Sequence, residues 1–152
     1  LTSIIDFIQN NVTSFSPVIW PVHPRTENKL KSYGLWNDLL LNDRVILLKP
    51  LGYHEMLKLS MDSKIVLTDS GGIQEECSVL GTPCLTLRNN TERPITLNEN
   101  QGTCRLAGNE INSLKSCFDS ILVESKAKQQ IPDLWDGATA KRCLDAILSY
   151  KS

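Results

Sequence analysis

Residues Leu67 to Pro94 read LTDSGGIQEECSVLGTPCLTLRNNTERP. The apolar run Ile65-Val66-Leu67 leads into this stretch, is rich in β-branched residues and reads as a short buried strand. Thr68-Asp69-Ser70-Gly71-Gly72 follows, a turn with helix N-cap chemistry. Ile73 to Leu80 has the pattern of a helix, which Gly81 and Pro83 stop. Cys84 to Leu87 reads as the next strand. The unit is strand, Gly-rich turn, helix, strand.

That unit has a chemical use. The first amides of a helix lack partners and carry partial positive charge. Gly71 and Gly72 remove the side chains that would keep an anion away, and the Ser70 hydroxyl adds a hydrogen bond. One turn further, a carboxylate would repel a diphosphate, so the target of Glu76 is a neutral group rich in donors. A ribose diol fits. Glu75 reads as a solvated or structural charge. Arg88 and Arg93 offer positive charge, with Arg93 favoured because Thr91-Glu92-Arg93-Pro94 follows a strand's carboxyl end, where open α/β sheets bind ligands. Taken alone, Ser-Gly-Gly is only a tight turn. The ordered set of Ser-Gly-Gly, paired Glu and Thr-Glu-Arg-Pro is far more specific.

Strand and helix patterns alternate outward from here. Leu1 to Asn11 has helical spacing, and Val18 to Val22 reads as a strand followed by the turn His23-Pro24-Arg25-Thr26. A helix runs to about Tyr33 and ends at Gly34; Val45 to Leu48 is a strand, and Tyr53 to Met61 a helix. Thr103 to Leu106 is a last short strand, and Asn109 to about Glu124 an amphipathic helix. Lys126 to Gln130 is a polar break, and residues 138–150 form a C-terminal helix. The alternation predicts an α/β protein with a doubly wound, Rossmann-like parallel sheet. Residues 1–152 are read as one nucleotide-binding domain.

The chain has 152 residues, 41% hydrophobic and 22% charged, with a net charge of −1. No basic surface argues for nucleic acid or anionic membrane, and no apolar run approaches a transmembrane length. The five cysteines include no C-x-x-C pair, and no metal-ligand spacing is seen; they read as buried free thiols of a reducing cytosol. Cys77 lies on the key helix but more than a turn from its anion end, which weakens it as a nucleophile.

Other candidates follow strand ends. His23 and Arg25 either line a nucleotide cleft or are a satisfied turn histidine and a solvated arginine. Tyr53 or Met56 packs against a base, or Met56 belongs to the core. Trp20, Trp36 and Trp135 read as packing residues, and His54 as an exposed one.

TDSGGIQEE, LGTPCLTLR and NTERP, with VHPRT (Val22 to Thr26) and KPLGYHEML (Lys49 to Leu57), closely resemble the non-hydrolysing UDP-N-acetylglucosamine 2-epimerase family, from about Pro17 to Gly108. The resemblance implies the carboxyl-terminal, UDP-binding half of a two-domain GT-B fold. It implies an isomerase that interconverts UDP-GlcNAc and UDP-ManNAc by elimination and re-addition of UDP, with no cofactor. The expected setting is cytoplasmic, in polysaccharide biosynthesis, with a homodimeric parent. Ser70, Gly71, Gly72, Glu76 and Arg93 are the expected UDP ligands. The family's proton-transfer residues belong to its amino-terminal domain, and its His-Arg-x-Glu-Asn motif precedes the position of Leu1. The chain therefore reads as a fragment, inactive alone. Gly102-Thr103-Cys104 departs from the family's Gly-Thr-Asn. The alternatives are the UDP-binding half of a GT-B glycosyltransferase and a non-catalytic nucleotide-binding module; the SGGIQEE and TERP pairing favours the epimerase.

Overall fold

The computed structural model describes residues 1–123 and 131–150. The polar break at 126–130 and the end of the preceding helix at Glu124 lie outside the described residues. The chain opens with α1 (Thr2–Phe7), a π-helical turn (Ile8–Val12) and α2 (Thr13–Phe15). Then come β1 (Val18–Pro21), α3 (Pro24–Ser32), α4 (Trp36–Leu41) and β2 (Val45–Leu48). Next are α5 (Tyr53–Asp62), β3 (Val66–Thr68), α6 (Gly71–Leu80) and β4 (Cys84–Thr86). Two 3₁₀ turns, Pro94–Thr96 and Asn98–Asn100, lead to β5 (Cys104–Leu106), α7 (Ile111–Val123) and α8 (Thr139–Ser149).

The glycines act as stops. Gly34 and Gly81 take left-handed φ of 72° and 70°, conformations that side chains resist, and α6 ends there with the Gly81 amide bonded to the Cys77 carbonyl. Helix α4 escaped the sequence reading because no capping residue announces it. Its Leu39 is buried in a cluster with Ile5, Val22, Leu30 and Val45, although Leu40 and Leu41 face solvent.

Helices cover both faces of the strands β3–β4–β5. Neighbouring residues of β4 point opposite ways. Leu85 joins Phe7, Leu114 and Phe118 on the side of α1 and α7, where the Phe7 and Phe118 rings meet edge to face at 5.5 Å. Cys84 joins Val66, Cys77 and Cys104 on the α6 side. Each fully buried Leu contributes about 2 kcal/mol by leaving water. Helix α1 also ties the two halves together, because Ile5 packs with the β1–β2 half and Phe7 with the other.

All strands pair in parallel, as expected, but in two ladders, β1–β2 and β3–β4–β5, in place of one continuous sheet. Proline explains the break. Val18 and Val22 donate to the Arg44 and Leu48 carbonyls on the β2 side. Strand alternation turns residues 17, 19 and 21 the other way, and Pro17 and Pro21 have no N–H to give. Between the β1 and β3 edges lies a cavity of about 950 Å³, with Ile19, Trp20, Ile65 and Leu67 in its walls.

At the C-terminal end, Arg142 grips both oxygens of Asp136 at 2.9 Å and reaches the Leu134 carbonyl at 2.7 Å. Hydrogen bonding from Arg142, with help from the Ala138 amide, holds the Asp136 carboxyl down at about 2.

Candidate functional site

Strand β3 delivers the chain to the start of α6 through a short turn. The Thr68 hydroxyl accepts from the Ser70 amide at 3.1 Å and fixes Ser70 in extended backbone as the N-cap residue. Sequence chemistry favours a side-chain cap here, yet the Ser70 hydroxyl makes none. The first helical bond runs from the Gln74 amide to the Ser70 carbonyl at 3.2 Å. The amides of Gly71, Gly72 and Ile73 therefore have no intrahelical acceptor, and no side chain caps them with a hydrogen bond.

Neither glycine here is demanded by the backbone. Neither has a left-handed φ. A β-carbon at Gly72 would meet nothing nearer than Ser70 Oγ at 3.9 Å, and one at Gly71 would meet Arg93 Cγ at 3.6 Å. The second distance also locates Arg93, whose side chain lies across the start of α6.

The guanidinium is already partnered. Arg93 Nε donates to Glu75 Oε1 at 2.8 Å, and one terminal nitrogen donates to the Glu92 carbonyl at 3.3 Å. Glu75 is thus the structural charge that the sequence allowed it to be. Arg88 lies 4.0 Å from the Glu92 carboxylate. Glu76 is half-buried and makes no hydrogen bond or ion pair among the described residues, so its carboxylate is available to a ligand.

The outlying candidates separate into two groups. His23, Met56 and Ser70 all line the 950 Å³ cavity. His23 is the N-cap of α3, with Nδ1 accepting from the Arg25 amide at 3.2 Å, so the ring is both a satisfied cap and part of the cavity wall. Arg25 and Tyr53 are outside those walls. Tyr53 is 63% exposed and packs edge-on against His54 at 5.6 Å. Trp20 and Trp36 pack against the β1–β2 core, as expected of packing residues.

Cys77 is fully buried, as are Cys84 and Cys104, which leaves it without access to a substrate. Hydrogen bonding to Cys104 and Cys77, together with burial, pushes the Cys84 thiol up and keeps it protonated.

Sequence reasoning missed Gln74, Thr91 and Thr96. Gln74 and Thr96 are fully buried. Their signal was a glutamine among the apolar and small residues Ile73, Cys77 and Ser78 of α6, where a polar side chain requires a buried partner.

Comparison with known proteins gives a consistent result. The UDP-N-acetylglucosamine 2-epimerase family profile matches residues 1–148. The chain is 39% identical over 127 residues to a UDP-N-acetylglucosamine 2-epimerase of Methanococcus maripaludis, covering 83% of this chain and 34% of that protein. The solved UDP-GlcNAc 2-epimerase of Methanocaldococcus jannaschii superposes with a TM-score of 0.82 at 32% identity, covering 97% of this chain and 40% of that one. A structure of the same enzyme in complex with UDP-GlcNAc and UDP superposes with a TM-score of 0.80 at 32% identity, covering 97% and 39%. The chain spans about a third of the length of the curated relatives it matches.

Proposed function

The chain belongs to the UDP-N-acetylglucosamine 2-epimerase family, and on that premise we propose that it is the UDP-binding, carboxyl-terminal half of a GT-B enzyme interconverting UDP-GlcNAc and UDP-ManNAc. One observation carries the reading. An uncapped helix start, an arginine laid across it and a carboxylate without a partner in the next turn occur together on α6.

In this reading the diphosphate sits on the amides of Gly71, Gly72 and Ile73, with the Ser70 hydroxyl and Arg93 beside it. The ribose diol donates to Glu76. The base lies toward the cavity that His23 and Met56 line, with Arg25 and Tyr53 at its approaches. The reaction passes through loss of UDP from C1 with removal of the C2 proton, then reprotonation at C2 and return of UDP. Donors fixed around the diphosphate stabilise the negative charge that develops as the C1–O bond breaks. Glu76 keeps the detached UDP oriented for its return. No residue of this chain is assigned to the proton transfer at C2. We place the enzyme in the cytoplasm as a homodimer, its product feeding polysaccharide synthesis.

Calorimetric titration of the intact protein with UDP tests the reading. Glu76→Ala and Arg93→Ala should each weaken binding about tenfold or more, the scale of one lost hydrogen bond to a charged group. Binding that is unchanged in both variants refutes the site.

A further inference from the structure

We propose that Gln74 is a positioning residue for the diphosphate site: its side-chain oxygen, through the Thr91 hydroxyl, holds the backbone amide of Arg93. The inference rests on the site assignment above.

Three hydrogen bonds and one close contact carry it. The Arg93 amide donates to the Thr91 hydroxyl at 3.0 Å, and that hydroxyl donates to Gln74 Oε1 at 2.8 Å. The Thr96 hydroxyl donates to the Arg93 carbonyl at 2.7 Å and lies 3.4 Å from the same Gln74 oxygen. Both main-chain polar groups of Arg93 are therefore bonded to threonine hydroxyls; Thr91 donates its own proton to Gln74, and Thr96 donates its proton to the Arg93 carbonyl and packs beside the same oxygen. Gln74 and Thr96 are fully buried, so the inner end of the latch is sheltered, while its outer bond at the Arg93 amide is exposed. Gln74 is itself on α6, four residues after its N-cap. The latch thus ties the Arg93 turn to the helix whose N-terminus Arg93 covers. Glu75, the next residue, holds the other end of the same arginine at Nε.

A residue retained only for packing gains nothing from an amide here. Gln74 Nε2 has no partner among the described residues. A buried donor left unpaired costs more than an apolar group of the same shape. Methionine would fill the space without that cost, and it would lose the latch.

The test uses the intact protein and the pair of ligands UDP and uridine. Gln74→Met should weaken UDP about tenfold while changing uridine, which lacks the diphosphate, by less than about twofold. In an Arg93→Ala background the same substitution should add less than about twofold, because its effect is exerted through Arg93. Thr91→Val should reproduce the loss, and Thr91→Ser, which keeps the hydroxyl, should restore binding. The threonine pair decides the matter if Gln74→Met does not fold. Equal weakening of UDP and uridine, or a full effect without Arg93, overturns the assignment and leaves Gln74 a structural residue. Wild-type protein that binds no UDP overturns the site reading, and this inference with it.

Discussion

Gly72→Ala separates the needs of the fold from the needs of the ligand, because the two effects have opposite signs. The new methyl has room, since its nearest neighbour would be Ser70 Oγ at 3.9 Å, an ordinary contact. Gly72 sits at the second position of α6 without a left-handed φ, so alanine adopts its backbone at no strain. Alanine restricts the unfolded chain and suits a helix better, which should stabilise the protein by about 0.5 kcal/mol. The melting temperature should rise by about 1–2 °C. On the proposed site assignment, the same methyl would stand where a phosphate oxygen approaches the bare amides. Displacing that oxygen removes at least one charge-assisted hydrogen bond, worth about 1.5–3 kcal/mol, or roughly 10- to 150-fold in Kd. Thermal unfolding and calorimetric titration with UDP read the two effects on one sample. A variant that melts higher and binds UDP within twofold of wild type would refute close phosphate approach at this backbone. One that melts lower would refute the room assigned to the methyl.

Two further predictions test the frame around the site. Asp136, held at about 2 by Arg142, has a folded value below its ordinary 3.8. Its contribution is therefore present above about 3.8 and lost as the pH falls through about 2. An NMR titration should find this carboxyl depressed in wild type and raised toward the ordinary range in Arg142→Ala, where the Ala138 amide still lowers it. Among the thiols, Cys143 is exposed and Cys77, Cys84 and Cys104 are fully buried. Cys143 should label first with an aromatic disulfide reagent, and the three buried thiols only on unfolding; early labelling of Cys77 would overturn the core assignment.

Local features of the site were legible in the sequence, and those depending on distant pairing were not. The Ser-Gly-Gly turn, its helix and the stop at Gly81 follow from local chemistry, and each lies within a residue or two of its expected place. The C-terminal helix, expected at 138–150, spans Thr139–Ser149 for the same reason. The broken sheet was harder. Pro17 and Pro21 are visible in the chain, but which edge they disable depends on β1 pairing with β2 through Val18 and Val22. The role of Glu75 was likewise open, because its partner Arg93 is 18 residues away across a strand and a loop. Gln74 was invisible as a latch because Thr91 and Thr96 return to it only after β4 has formed. Helix α4 was missed for the opposite reason: its tertiary packing at Leu39 stabilises a segment that carries no local start signal.

The Glu75–Arg93 pair bears on how a site of this kind holds a leaving group. At 43% and 41% side-chain exposure, such a pair adds little to stability, so fold stability does not account for it. It also lowers the net positive charge that a diphosphate meets. On the reading proposed here, raw charge is then the smaller part of recognition. The larger part is direction: three helix amides without intrahelical acceptors, the Ser70 hydroxyl, and an arginine whose backbone is latched by Gln74 and whose Nε is fixed by Glu75. Tethered at Nε by Glu75 and at one terminal nitrogen by the Glu92 carbonyl, the guanidinium is held in one orientation beside the helix start. Directed donors stabilise a charge that appears in one place as a bond breaks, and they do so without reorganising. A diffuse excess of positive charge would bind free UDP and the intact sugar nucleotide alike, which tightens both states without lowering the barrier between them. The carboxylate beside Arg93 is thus consistent with a site that releases UDP from the sugar and returns it in the same orientation.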